Sequence, residues 1–322
     1  MKILITGGLG FVGGRLSINL LKSGHEIVVG TRKSINPPAW LANARIARLD
    51  WKSDKSLSNA CLGVDLVIHA AGMNAKECEL NSVAAHEFNG NATSRLLTAA
   101  VSSSVKTFIY LSSIHVYADL LQGVIDEKTL PTNTHPYATS HLEGEHHVSN
   151  ARDNGLINST TLRLANAYGM PAGPEVDCWA LLVNDLCLQA VTTRQLKLAT
   201  SGVNLRNFIT LSDVCAVISK LIDESENQSL PQILNIGNAC SNSVYEMAEL
   251  IQNRCKAVLG FSPKISLNNE DSYQVTNPLD YKSLYSNLFE NLVKNDRNSE
   301  IDELLNFCKN FFANNGLLLK AK

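Results

Sequence analysis

Met1-Lys2-Ile3-Leu4-Ile5-Thr6-Gly7-Gly8-Leu9-Gly10-Phe11-Val12-Gly13-Gly14-Arg15 is the stretch whose reading decides the fold. Lys2 to Thr6 is an apolar run of strand length, and glycines follow it without a spacer. Val12, Leu16, Leu20 and Leu21 then recur near helical spacing. Strand, glycine turn and helix start together predict a phosphate cradle, because the N–H groups and dipole at a helix N-terminus favour an anion. In such a cradle Gly7 makes the tight turn, Gly10 lets the backbone approach a pyrophosphate, and Gly13 lets helix and sheet pack closely. Phe11 and Val12 lie between the last two glycines, in the first helical turn.

Outward from this stretch the pattern alternates. The first helix stops near Lys22, with Gly24 suited to a left-handed cap. A second strand, Glu26 to Gly30, leads into Thr31-Arg32-Lys33, where a dinucleotide fold meets the adenosine ribose. An acid at that place accepts from the 2′-hydroxyl of NAD, whereas arginine accommodates the 2′-phosphate of NADP. Here there are two adjacent cations and no acid, so NADP is the expected cofactor, with NAD the alternative. Arg45 to Asp50 reads as a third strand that brings Asp50 and Trp51 to the adenine edge. Val64 to His69 reads as a fourth, entering the small residues Ala70, Ala71 and Gly72, against which a cofactor can lie. A helical segment carries Asn89 early. Thr107 to Leu111 is a fifth strand, closing in Ser112-Ser113-Ile114-His115-Val116-Tyr117. Ligands of open parallel sheets lie beyond the carboxyl ends of the strands, which puts these serines on the cofactor side.

Pro136-Tyr137 opens a long helix that Gly155 ends. Ser159 to Leu164 is a sixth strand, followed by Ala165-Asn166-Ala167-Tyr168-Gly169. Strand–helix alternation predicts an α/β fold with a doubly wound parallel sheet of Rossmann type. The pattern loosens after Gly169. We expect a dinucleotide-binding domain from 1–168 plus about 208–236, and a smaller, discontinuous substrate lobe from about 169–207 plus 237–322.

Composition narrows the classes. The 322 residues are 45% hydrophobic and 18% charged, with a formal net charge of −2. That balance gives no general attraction to nucleic acid or to an anionic membrane. No apolar run approaches the roughly eighteen residues of a membrane helix, and Met1 leads straight into a strand, so no export signal is expected. The eight cysteines are scattered without a C-x-x-C pair, which fits reduced thiols in a cytoplasmic protein and no metal site.

These residues resemble the extended short-chain dehydrogenase/reductase family, in particular its nucleotide-sugar epimerases, dehydratases and reductases. The resemblance runs over nearly the whole chain: Thr6 to Gly13, His69 to Gly72, Asn89, Leu111 to Tyr117, Arg163 to Gly169, Arg206 to Ile209 with Asp213-Val214, and Asn235 to Gly237. It implies catalysis by Ser113, Tyr137 and His141, cofactor contacts from His69 to Gly72, Asn89, Ser112, Tyr137, His141 and Leu164, and a sugar-nucleotide pocket with His115, Asn166 and Arg206. Arg206 is the candidate for the diphosphate, since a guanidinium fork matches phosphate. The resemblance also implies a homodimer through the Asn89–Ser103 and Tyr137–Asn154 helices, with Leu96, Leu97, Leu142 and Val148 available either as contacts or to face their own sheet.

One position departs from the family pattern. A tyrosine is usually followed four residues later by lysine; here Tyr137 is followed by His141. A phenol has a reference pKa of about 10 and is lowered by a fixed cation, whereas histidine titrates near 6.5. The expected activity is an epimerase or reductase passing through a 4-keto sugar. Protonated, His141 would favour phenolate and make turnover fall as pH rises through its pKa; neutral, it would mainly orient the ring and the ribose. The alternative is a non-catalytic NADP-binding protein that lost its chemistry with the lysine. Dehydratase ranks third, because Ile114 and His115 stand where dehydratases carry two acids. His146 and His147 are expected at the surface.

Overall fold

The computed structural model of the chain describes residues 1–268 and 277–312, so residues 269–276 and 313–322 of the expected lobe lie outside the described residues. Seven strands form one sheet: β1 (Lys2–Thr6), β2 (Glu26–Thr31), β3 (Arg45–Arg48), β4 (Leu66–His69), β5 (Thr107–Ser113), β6 (Asn158–Leu164) and β7 (Ile233–Ile236). Their spatial order is β7-β6-β5-β4-β1-β2-β3, and every pairing in the sheet is parallel. The doubly wound architecture read from the alternation is therefore present.

Between β1 and β4 the winding reverses direction, and a crevice opens there beyond the strand ends. Register brings the residues at that edge into line: Thr6 pairs with Gly30 and His69, His69 with Tyr110, and Ser113 with Leu164. All seven residues of β5 are buried, as expected for a central strand covered on both faces. One apolar layer, including Ile3, Ile5, Leu16, Leu20, Ile68, Ile109 and Leu162, covers one face. The other, including Leu4, Val28, Leu57, Val67, Leu96, Phe108 and Val148, covers the opposite face.

The strand near residue 208 does not rejoin this sheet. Leu205–Thr210 pairs in parallel with Asn166–Tyr168 and antiparallel with Ser241–Ser243, making a separate three-stranded sheet. Only Ile233–Ile236 returns to the parallel sheet. The helices Leu182–Thr193, Val244–Leu259 and Arg297–Phe312 pack around a third apolar cluster that includes Tyr168, Leu186, Phe208, Ile251 and Leu304. Arg15, on the helix after the glycine turn, binds the Met170 carbonyl (2.9 Å), the Ser212 hydroxyl (3.1 Å) and the Glu300 carboxylate (3.5 Å), joining cradle and outer helices.

Three of the residues proposed for a dimer contact serve the chain's own core instead. Leu96, Leu97 and Val148 are buried among the residues behind β5, because their helices must cover that face of the sheet. His147 is half-buried rather than at the surface, and its Nε2 has no hydrogen-bond partner among the described residues. All eight cysteines are free thiols, with only Cys240 exposed. Among the described residues no helix is long and apolar enough to cross a membrane, and no cluster of His, Cys, Asp and Glu could hold a metal.

A buried ion pair braces the sheet just under the crevice. The Arg163 guanidinium meets the Glu145 carboxylate at 2.5 Å, and the Ser112 hydroxyl donates to the same carboxylate at 2.5 Å. Arg163 also lies over the Tyr117 ring, 4.6 Å from its centroid. Both charged side chains are about 5% exposed or less. Removing one partner strands the other charge, which in such pairs costs about 3–5 kcal/mol. Glu145→Ala is therefore expected to lower unfolding stability by about that amount in denaturant titration; a loss under about 1 kcal/mol would contradict the assignment.

Candidate functional site

The cradle is built from backbone that tolerates no side chains. Gly7 has φ +68°, and a Cβ there would lie 2.8 Å from the Ala70 carbonyl. A Cβ on Gly13 would lie 2.3 Å from the Gly7 carbonyl oxygen, so the helix can start this close to the turn only with glycine. Gly10 caps the helix without a side-chain bond, and no acid sits in the first turn. The first N–H groups of the helix thus lack intrahelical partners and face the crevice end of β1. This arrangement fits a dinucleotide pyrophosphate, with Phe11 and Val12 beside it.

The residues expected at the adenosine end, Thr31, Arg32, Lys33, Asp50 and Trp51, lie at or just after the carboxyl ends of β2 and β3. Arg32 and Lys33 are exposed, and the Arg32 guanidinium lies 5.6 Å from the centre of the Phe88 ring. Trp51 meets Phe88 edge-on, with ring centroids 5.2 Å apart. Asp50 is exposed, and its carboxylate accepts from the Lys52 N–H at 3.0 Å. Phe88 escaped the sequence reading, since one aromatic in a polar helical stretch carries no periodic signal.

His69 does not present its ring to the crevice. It is 1% exposed; its Nδ1 meets the Thr6 hydroxyl at 2.6 Å and its Nε2 meets Thr93 at 2.9 Å. Thr93 gives its own proton to the Asn89 carbonyl at 2.7 Å. His69 Nε2 must therefore donate to Thr93, and Thr6 must donate to His69 Nδ1. Burial holds this histidine down to about 3, so it is a neutral brace between β1, β4 and the next helix. What reaches the crevice from this motif is the backbone of Ala70, Ala71 and Gly72.

Asn89 sits in a π-helical turn, His86–Asn91, and is 1% exposed. Its Oδ1 accepts from the Met73 N–H at 2.9 Å, and its Nδ2 donates to Ser140 at 3.0 Å. It ties the loop after β4 to the long helix Pro136–Asp153. That helix starts where the sequence places it: Pro136 fills the first turn, and His135, unnoticed in the sequence, accepts the Tyr137 N–H through its Nδ1 at 3.1 Å.

Beyond the ends of β5 and β6 lies a cavity of about 500 Å³. Ser112, Ser113, His115, Tyr137, Leu164, Asn166 and Arg206 all line it, so the structure gathers these expected residues around one space, while His141 is not among the lining residues. Asn133, His135, Tyr168 and Phe208 join them without having been singled out. Asn166 donates to the Asn207 carbonyl at 2.9 Å. His115 is fixed by its backbone, its N–H donating to Ser113 (3.2 Å) and its carbonyl accepting from Asn133 (2.8 Å). Burial and then the nearby Arg206 lower the His115 pKa, which keeps its imidazole neutral. Arg206 forms no ion pair among the described residues, leaving its guanidinium for an anion.

The Tyr137–His141 pair takes the neutral of the two forms open to it. The rings are close, with centroids 4.5 Å apart at 63°, and both side chains share one helix face. His141, however, is 6% exposed, and burial lowers its pKa to about 4. It is neutral over the range in which a histidine ordinarily titrates. The physical reason is that no carboxylate lies beside it to repay desolvation; its Nδ1 meets the Tyr110 hydroxyl instead, at 2.9 Å. Burial raises the Tyr137 pKa as well, with the Ser113 hydroxyl pulling the other way. The phenol keeps its proton at neutral pH.

A histidine whose folded pKa lies below its unfolded value near 6.5 stabilises the fold above that value and ceases to as pH falls. His141→Gln is therefore expected to flatten the decline of unfolding midpoint between about pH 6.5 and pH 4, leaving the parts due to His69, His115 and His25. A thermal-melt series with identical slopes for wild type and variant would contradict the neutral assignment.

Comparison with known proteins bears on the fold and the family. The sequence model of the NAD dependent epimerase/dehydratase family matches residues 3–237. An uncharacterized UDP-glucose epimerase, YtcB, of Bacillus subtilis (strain 168) is 29% identical over 283 residues, covering 83% of this chain and 86% of that protein. A dTDP-glucose 4,6-dehydratase of Streptomyces niveus is 26% identical, covering 80% and 78% respectively. Among solved structures, MoeE5 in complex with UDP-glucuronic acid and NAD superposes with a TM-score of 0.78 at 22% identity, covering 96% of this chain and 99% of that one. The UDP-glucose 4-epimerase of Thermotoga maritima, with UDP-glucose, superposes at 0.79 with 18% identity, covering 96% and 99%.

Proposed function

Because the chain belongs to the NAD dependent epimerase/dehydratase family, we propose that it is a nicotinamide-linked nucleotide-sugar enzyme of reductase type, acting on a 4-keto sugar. The observation that carries this choice is the uncharged His141 beside a protonated Tyr137. Epimerisation begins with removal of a hydroxyl proton, for which the tyrosine must be phenolate, and a fixed cation is what stabilises phenolate. Reduction needs the opposite: an acid that gives a proton to a ketone oxygen as it gains negative charge. A phenol without a cation beside it is already in that form at neutral pH.

The residues divide the work accordingly. Tyr137 donates the proton from its phenol oxygen, and Ser113 holds the same carbonyl oxygen from the end of β5. Arg206 takes the diphosphate, with His115 and Asn166 along the sugar. The glycine cradle, Ala70 to Gly72, Ser112 and Leu164 hold the cofactor, which when bound supplies the hydride. Arg32 and Lys33 favour NADP over NAD, since an exposed guanidinium with no acid beside it suits a 2′-phosphate. The non-catalytic alternative keeps the same cradle but predicts no turnover.

The test follows NADPH absorbance over a panel of 4-keto nucleotide sugars and their 4-hydroxy counterparts. We expect NADPH oxidation with a 4-keto member, lost by about 10²–10⁴-fold in Tyr137→Phe. Arg32→Asp is expected to weaken NADPH about ten- to a hundredfold while sparing NADH. Silence across the panel, with activity appearing only in His141→Lys, would overturn the reading in favour of a retired enzyme.

A further inference from the structure

Sequence comparison draws attention to His141, but the structure shows a second residue that decides how His141 can act. Tyr110, on β5, is 1% exposed and spends its hydroxyl inside the protein, 2.9 Å from His141 Nδ1. It reaches that far because of Gly144. A Cβ on Gly144 would lie 2.6 Å from the Tyr110 hydroxyl and 2.7 Å from the Asn89 carbonyl, so any larger residue would push the phenol off the helix. Burial, with Glu145 nearby, raises the Tyr110 pKa well above the usual phenol range, and the hydroxyl stays protonated. Of the two polar neighbours of the Tyr110 hydroxyl, Thr93 already accepts from His69 Nε2 and donates to the Asn89 carbonyl, which leaves His141 Nδ1 to accept the phenol proton.

An imidazole that accepts at Nδ1 carries its proton at Nε2. That nitrogen has no protein partner among the described residues. It lies beside Gly72, where a Cβ would stand 3.7 Å away, at the crevice end of β4. We propose that Tyr110, admitted by Gly144, is a positioning residue that locks His141 in its Nε2–H form. His141 thereby presents a neutral donor to a hydroxyl of the cofactor's nicotinamide ribose. The inference rests on the dinucleotide reading of the crevice, not on the choice of reaction.

Two measurements test it without relying on turnover. Nitrogen-15 spectra of the cofactor-free protein report the tautomer of His141, and fluorescence titration gives the NADPH dissociation constant. We expect wild type to show Nδ1 bare and Nε2 protonated. Tyr110→Phe and, independently, Gly144→Ala should mix the tautomers and weaken NADPH about two- to tenfold, the range of one neutral hydrogen bond. In a His141→Lys background, Tyr110→Phe should change NADPH affinity less than twofold, because lysine needs no tautomer. A wild-type Nδ1–H signal would overturn the proposal, as would an equal loss of affinity in the lysine background, which would mark Tyr110 as merely structural. A wild type that binds no nicotinamide cofactor would instead sink the dinucleotide reading and the ribose contact with it, while the spectra still judge the Tyr110–His141 lock on their own.

Discussion

Gly13 stands so close to the Gly7 carbonyl that no side chain fits between them, and the rest of the site depends on that approach. It places the start of the first helix directly against the end of β1, where the sheet reverses its winding. Thr6, at that end, anchors His69 on the neighbouring strand; His69 anchors Thr93, and Thr93 anchors the carbonyl of Asn89. The chain of hydrogen bonds runs from the cradle to the π-helical turn that positions Asn89 against Ser140 of the long helix. Cradle and catalytic helix are therefore held by one buried polar line as well as by the apolar layers.

Neutrality is the common property of the buried histidines along and beside that line. His69, His115 and His141 are all pushed below their ordinary pKa, with burial the largest cause each time. Among the described residues the one ion pair with both side chains buried, Arg163 with Glu145, is spent on the sheet. Tyr137 thus faces serine and imidazole, and Arg206 remains the unpaired positive group among the residues lining the cavity. A site arranged this way holds a phenolic proton and an anion in the same space, which is the requirement for protonating a sugar ketone on a nucleotide diphosphate.

Much of this was legible in the residues. Lys2 to Gly13 dictates the strand, turn and helix because each glycine has a steric reason, and Pro136 and Gly155 mark the ends of the long helix. The residues expected around the cavity, from Ser113 to Arg206, do converge there, since each follows the carboxyl end of a strand or opens the next helix. What could not be read depends on distances between segments far apart in the chain. Nothing around His141 in the sequence reveals that Tyr110, on another element, fills the place of a counter-ion, and periodicity assigns Leu96, Leu97 and Val148 to an apolar face without saying which surface covers it. The strand at Leu205–Thr210 has the composition of a sheet strand, but its partners are Asn166–Tyr168 and Ser241–Ser243.

The central claim is that Tyr137 acts from its protonated state without help from a titrating histidine. The pH dependence of NADPH oxidation with a 4-keto nucleotide sugar, followed as kcat/KM from about pH 5.5 to 10, addresses it most directly. The account predicts a level profile through neutrality, falling only as pH climbs toward the raised pKa of the Tyr137 phenol. A fall centred near 6.5, the ordinary range of histidine, would show a cationic His141 at work and contradict it.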